Sequence, residues 1–139
     1  MTYKIIGKYI KNLKFCIPNT KAFFLLSKNI SNYKIHIDIK SVQIKQNIIE
    51  VLTSLSLLPT KENFEKIDTQ ITYSTVVELN GENTQKEEVE KIILIDVPTE
   101  IYSELRQIFV FLFENSGFKD IKINKTVDFE RLYKMKKVQ

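Results

Sequence analysis

The chain has 139 residues and a mass of 16.4 kDa, and with 43% hydrophobic and 27% charged residues it is expected to pack as one domain over 1–139, which excludes a disordered chain. One cysteine and one histidine exclude an internal disulfide and a structural Cys/His zinc site. The net charge of +4 admits an acidic partner, but it rests on lysine, with Arg106 and Arg131 the only arginines, so most of it reads as solvation.

Tyr9 to Ile17 alternates, with Tyr9, Leu13, Phe15 and Ile17 on one face and Lys8, Asn12, Lys14 and Cys16 on the other, and Pro18-Asn19 ends this first strand. The stretch to Asn32 carries Ala22-Phe23-Phe24-Leu25-Leu26 without a clear period. Tyr33 to Lys45 alternates through Ile35, Ile37 and Ile39, then changes parity to Val42 and Ile44. A β-bulge near Ser41 is therefore expected. Gln46-Asn47 reads as a hairpin tip and Ile49 to Leu58 as the return strand, closed by Pro59. In Ile67 to Leu79, residues Ile67, Ile71, Tyr73, Val77 and Leu79 point one way and Asp68, Gln70, Thr72, Ser74 and Glu78 the other. Asn80-Gly81 closes that strand, and Glu82 to Lys91 reads as a solvated loop. Four consecutive strands predict an α+β fold, a four-stranded antiparallel sheet with one wet face.

After Lys91 the period changes. Ile92 to Val97 is a short apolar bridge, and Pro98 suits the first turn of a long helix. Ile101, Leu105, Ile108 and Leu112, flanked by Tyr102, Phe109 and Phe113, form a stripe that Val110 and Phe111 widen, up to Gly117 as a left-handed cap. A helix apolar over so much of its circumference needs cover from several sides, and further subunits are the expected cover. Ile101, Leu105, Ile108, Phe109 and Leu112 are the candidate interface. Thr126 is the predicted cap of a short final helix with Phe129, Leu132 and Tyr133 inward, running out through Lys134, Lys136 and Lys137.

Catalytic chemistry finds no support, so no catalytic residue, cofactor or metal is assigned. His36 lies between Lys34 and Asp38 on an outward strand face, Cys16 has no histidine nearby and reads as a small packing residue, and Glu87, Glu88 and Glu90 sit in a charge run. Gly7, Gly81 and Gly117 are isolated and cannot form a phosphate loop. Lys34, Lys40 and Lys45 alternate with isoleucines without compact basic clustering, so a lysine-solvated sheet is favoured over a basic nucleic-acid-binding module, the main alternative. A third reading is a domain enclosing a small apolar ligand. The longest apolar stretch, Ile101 to Phe113, is broken by Glu104 and Arg106, and Met1 to Lys8 lacks a secretory core. A cytoplasmic protein without direct membrane insertion is expected.

Several strings in order resemble the SecB family of bacterial protein-export chaperones. Tyr9-Ile10-Lys11-Asn12-Leu13-Lys14-Phe15 with Pro18-Asn19 is similar to its first strand, Tyr-x-Lys-Asp-x-Ser-Phe-Glu-x-Pro. Pro98 to Ile108, with Ile101-Tyr102 and Arg106, resembles its long helix. Gly117-Phe118, Ile121, Ile123 and Val127-Asp128-Phe129-Glu130-Arg131-Leu132-Tyr133 resemble its C-terminal pattern. The resemblance spans Tyr9 to Tyr133 and implies a dimer of dimers, that is, a homotetramer. It implies an ATP-independent holdase that binds unfolded preproteins and passes them to the motor SecA.

Within that resemblance, Phe23, Phe24, Leu25 and Leu26 of the crossover loop, with Tyr73, are candidates for a client-binding groove. The alternative is a buried segment sealing the core. The family's motor-facing carboxylates fall on Asn12, Cys16 and Gln70, all neutral, and the C-terminus ends Lys134-Met135-Lys136-Lys137-Val138-Gln139 where the family is acidic. Ser103 and Thr75 stand where a proline and a glycine are usual. Holdase activity with weakened or altered SecA coupling is the resulting expectation.

Overall fold

The computed structural model describes residues 2–61, 67–81, 85–118, 121 and 123–138, with side chains described through Met135. The elements are β1 (Thr2–Cys16), α1 (Thr20–Asn29) with a 3-10 turn at Ile30–Asn32, β2 (Tyr33–Lys45), β3 (Ile48–Pro59), β4 (Asp68–Asn80), α2 (Lys86–Lys91), a π-helical turn at Ile92–Asp96, α3 (Val97–Glu114) and α4 (Phe129–Val138). The strands form one antiparallel sheet in the order β1-β4-β3-β2, so β1 and β2 are its edges.

The inner face follows from alternation. Ile35 and Ile37 of β2 lie opposite Leu57 and Leu55 of β3, and Leu55 lies opposite Ile71 of β4. This side buries Val51, Leu55, Ile71 and Val77 completely, each removed from water at roughly 25 cal/mol per Å² of apolar surface. α3 covers it with Ile101, Leu105, Phe109 and Phe113, all buried. Phe15 meets Phe113 edge-on at 4.9 Å between ring centroids.

The strand parities need two corrections. β1 begins at Thr2 and its register shifts twice, between Ile5 and Gly7 and between Ile10 and Asn12. The second shift puts Tyr9 on the outer face with Asn12, Lys14 and Cys16, and Lys8 on the inner face with Leu13 and Phe15, because an extra residue reverses alternation. In β2, pairing runs unbroken from Tyr33 to Gln43, and the irregularity lies at Gln43/Lys45 rather than near Ser41. Val42 therefore faces outward opposite Glu50, and it is exposed.

The stretch after Asn19 is a helix. The Asn19 side chain accepts a hydrogen bond from the Ala22 amide at 2.8 Å, and Ala22 and Leu26, four residues apart, are buried. The expected long helix is present, and helical structure also precedes it through residues 86–97, where a loop and an apolar bridge are expected from the sequence; residues 82–84 of that loop lie outside the described residues. Ile92 and Val97 pack on Ile49, Val51, Val77 and Leu79 at the far end of the sheet. The amide of Val97 bonds Ile92 O, five residues back, just before Pro98, whose missing donor breaks the ordinary ladder there.

Gly117 has φ +96°, as its predicted role requires, and the amides of Gly117 and Phe118 bond Glu114 O and Phe113 O at 3.3 and 3.0 Å. In the last helix Asp128 is the cap in place of Thr126, accepting from the Arg131 amide at 3.0 Å. Phe129 and Tyr133 are buried, whereas Leu132 is exposed. Lys136 and Lys137 lie outside the described side chains.

Candidate functional site

Among the described residues β2 pairs only with β3, so alternate backbone amides and carbonyls of this edge strand are directed away from the sheet. Beside that edge lies a cleft of about 670 Å³. Its floor is Tyr33, Ile35, Ile37 and Leu57. Ile30 and Ser31 lie at the turn before β2, and Tyr102, Ile121, Ile123, Asn124 and Val127 line the remaining wall. Two α3 side chains hold the 123–124 stretch in place. The Tyr102 hydroxyl donates to Asn124 O at 2.8 Å, and Arg106 Nε donates to Ile123 O at 3.1 Å. Tyr102 also packs on Phe129 at 5.9 Å, and burial pushes its phenol pKa up, so it remains a donor. A preformed apolar hollow next to a sheet edge is suited to an extended peptide.

The residues predicted for a groove separate. Leu26 is 1% exposed and belongs to the core. Tyr73 is buried too, its hydroxyl donating to Glu104 at 3.0 Å and its pKa raised by burial and by that carboxylate. Phe24 and Leu25 are exposed on the outward side of α1, 64% and 43%. Phe23 packs on Phe118 at 5.1 Å and lines a shallower hollow with Phe15, Ile17, Asn19, Thr20 and Ser116. None of the five lines the larger cleft. Its real lining was missed because Ile35 and Ile37 alternate as a sheet core does, and Ile121, Ile123 and Val127 follow no helical period.

Asn12, Cys16 and Gln70 do share the outer face. Asn12 lies opposite Thr72, Lys14 opposite Gln70, and Cys16 opposite Asp68. The patch thus has a lysine at its centre, and Cys16 is exposed rather than packed. Further along this face Glu50 is 6% exposed and receives the Tyr9 hydroxyl at 2.5 Å, the Ser74 hydroxyl at 2.7 Å and Lys11 Nζ at 3.1 Å. Those bonds, Tyr9 first and then Ser74, hold its pKa down at about 2.

The candidate subunit interface is also divided. Ile101, Leu105 and Phe109 are at most 1% exposed within one chain, because the sheet, α1 and the segment after α3 already cover that side, so they have no surface left for another subunit. Ile108 and Leu112 are half-buried, and Phe111 between them is 61% exposed. On the inner side of β1, Ile10 and Leu13 are each 45% exposed. Lys8 meets Glu104 of α3 at 2.7 Å, so α3 runs alongside this strip.

His36 is exposed opposite Ser56, and Glu90 accepts from the Tyr133 hydroxyl at 3.3 Å. Among the described residues no group of three His, Cys, Asp or Glu side chains could hold a metal ion, and no helix is long and apolar enough to cross a membrane. The strand lysines Lys34 and Lys40 face outward among Asp38 and His36 and form no basic stripe.

Comparison with known proteins gives a consistent set of likenesses. The family model described as preprotein translocase subunit SecB matches residues 1–139. A protein-export SecB relative from Pelagibacter ubique is 42% identical over 96% of both chains. The protein-export protein SecB of Anaplasma phagocytophilum is 23% identical over 94% of this chain and 89% of its own. Among solved structures, a SecB-like chaperone of Mycobacterium tuberculosis, in complex with a ChAD peptide from the HigA1 antitoxin, shares the fold with a TM-score of 0.53. Its identity is 7%, over 88% of this chain and 89% of that one.

Proposed function

The chain belongs to the SecB family of protein-export chaperones, and from that premise we propose that it holds unfolded preproteins, without ATP, in the cleft beside β2. The carrying observation is the juxtaposition of that apolar hollow with a sheet edge, β2, which pairs with no second strand among the described residues. An extended segment laid along β2 gains backbone hydrogen bonds whatever its sequence, while every second side chain drops into the hollow. Sequence tolerance and preference for unfolded chains then follow from the same geometry, since a folded client has neither its backbone nor its apolar side chains free. Phe24 and Leu25 on α1 offer an additional exposed apolar contact, and repetition over subunits adds avidity. Such capture breaks no covalent bond and calls for no enzymatic group or cofactor.

The protein acts in the cytoplasm as a homotetramer, with the strip of Ile10, Leu13, Ile108, Phe111 and Leu112 buried between subunits. Its coupling to SecA is weakened, because Asn12, Cys16 and Gln70 surround Lys14 and present no carboxylate to a basic tail, apart from Asp68 at the margin. Tight, salt-sensitive binding to the C-terminal tail of SecA would overturn that part.

The client site is tested with permanently unfolded, reduced α-lactalbumin. Ile35→Ser with Ile121→Ser is expected to weaken capture at least about tenfold, since burying one such side chain is worth about 1.5–3 kcal/mol. Phe24→Ser with Leu25→Ser should weaken it less. Unchanged affinity in the Ile35/Ile121 variant, with its circular dichroism spectrum intact, would refute the assignment.

A further inference from the structure

We propose that Arg106 and the Tyr102 hydroxyl are positioning groups for client holding, fixing the wall that faces β2 across the cleft. The inference rests on the client-holding reading above and adds what gives the cleft its width. The floor needs no such help, because Ile35 and Ile37 lie in a strand whose register β3 sets, opposite Leu57 and Leu55. The wall formed by Ile121, Ile123, Asn124 and Val127 belongs to neither a strand nor a helix. Among the described residues, only two hydrogen bonds reach residues 121–126 from another element, and both come from α3.

Tyr102 and Arg106 are four residues apart, so they stand together on one side of that helix. They take the carbonyls of successive residues, Asn124 at 2.8 Å and Ile123 at 3.1 Å, and the Tyr102 ring packs on Phe129 where the wall passes into α4. Arg106 does not line the cleft, so it acts through Ile123. Packing alone holds the wall less completely. Ile123 is buried, but Ile121 and Val127 are half-buried, and Asn124, Lys125 and Thr126 are exposed. A wall that stays closed spares the client the cost of ordering it, whereas one that opens raises the apparent Kd by the inverse of the closed fraction.

Two readouts on the whole protein test this. Trypsin cleavage after the exposed Lys125 reports the open population, and fluorescence anisotropy of a labelled peptide with an alternating Leu-Ser core reports client affinity. Tyr102→Phe and Arg106→Met are each expected to speed cleavage about three- to tenfold, and the two together to weaken peptide binding at least about threefold. Arg106→Gln separates positioning from charge, because its amide nitrogen stands as many bonds from the backbone as the arginine Nε. In the Tyr102→Phe background it should keep both readouts within about twofold of Tyr102→Phe alone, where Arg106→Met does not. Tyr9→Phe, which removes a hydroxyl bond to Glu50 on the outer face, should lower the urea midpoint and leave both readouts unchanged. Unchanged cleavage in the Tyr102→Phe/Arg106→Met protein overturns the proposal, and so does faster cleavage with unchanged affinity. Equal losses with Arg106→Gln and Arg106→Met, or with Tyr9→Phe, overturn it too. If the unaltered protein does not bind the peptide, the client-holding reading itself fails and the positioning role falls with it.

Discussion

Glu50 is a carboxylate in the middle of a sheet face, and three donors, Ser74 from the adjacent β4 and Tyr9 and Lys11 from β1 beyond it, make its ionised form the stable one. Its pKa of about 2 in the folded protein lies below the 4.5 of an unperturbed glutamate. The resulting stability is fully present above about pH 4.5 and is lost as the pH falls toward 2. Glu50→Gln is expected to cost about 1–3 kcal/mol near neutral pH, because the donors lose a charged acceptor. It should also flatten the acid limb of a urea-denaturation series, leaving the smaller share due to Glu104, whose pKa is lowered by Lys8 and then by Tyr73. An acid limb as steep as in the unaltered protein would show that Glu50 is not the linked group. This site was not legible in the sequence. Glu50 is the one charged residue of the return strand, and alternation alone places Tyr9 on the opposite face because the extra residue near Lys11 leaves no mark in composition.

Elements with an uninterrupted period were legible, and those with a local irregularity were not. β4 alternates without a slip, so its two faces could be read directly, and α3 repeats its apolar positions over 18 residues, which marks the helix but not which apolar side chains the chain's own sheet covers. β1 carries two register shifts, and α1 has Phe23, Phe24, Leu25 and Leu26 spread around its axis, with Asn19 rather than periodicity marking its start. The cleft escaped for a related reason: one wall is an irregular stretch held by Tyr102 and Arg106 from another element. The helix cap at Gly117 was legible, since glycine ends a periodic run there, and the structure adds a second constraint. A Cβ at this position would lie 3.1 Å from the ring of Phe23, besides having to adopt φ +96°. Gly117→Ala is thus expected to cost about 1–2 kcal/mol or more in denaturant unfolding, from the backbone term alone. The Phe23 contact is isolated by adding Phe23→Ala, which should recover part of the Gly117→Ala loss; no recovery would show that the α1 contact contributes nothing.

At the scale of the whole molecule, the apolar surface a single chain leaves uncovered separates the buried part of α3 from the part available to another subunit. Leu105 and Phe109 face the chain's own sheet, while Phe111 projects away from it, and Ile10 and Leu13 extend the uncovered area along an edge strand. An open edge next to apolar side chains is a liability for a soluble protein unless a second copy pairs with it, and a symmetric pair would satisfy both copies at once. Native mass measurement of the unaltered protein is expected to give four times 16.4 kDa. Leu13→Glu with Phe111→Glu places like charges in the shared strip on both copies, so it should reduce the mass toward that of one chain. The circular dichroism spectrum should stay nearly unchanged, since neither side chain belongs to the buried core. The substitution leaves the β2 cleft intact, so peptide affinity per chain should persist while avidity for a long client falls. A monomeric unaltered protein, or a charged variant whose mass does not change, would move the subunit contact away from this strip.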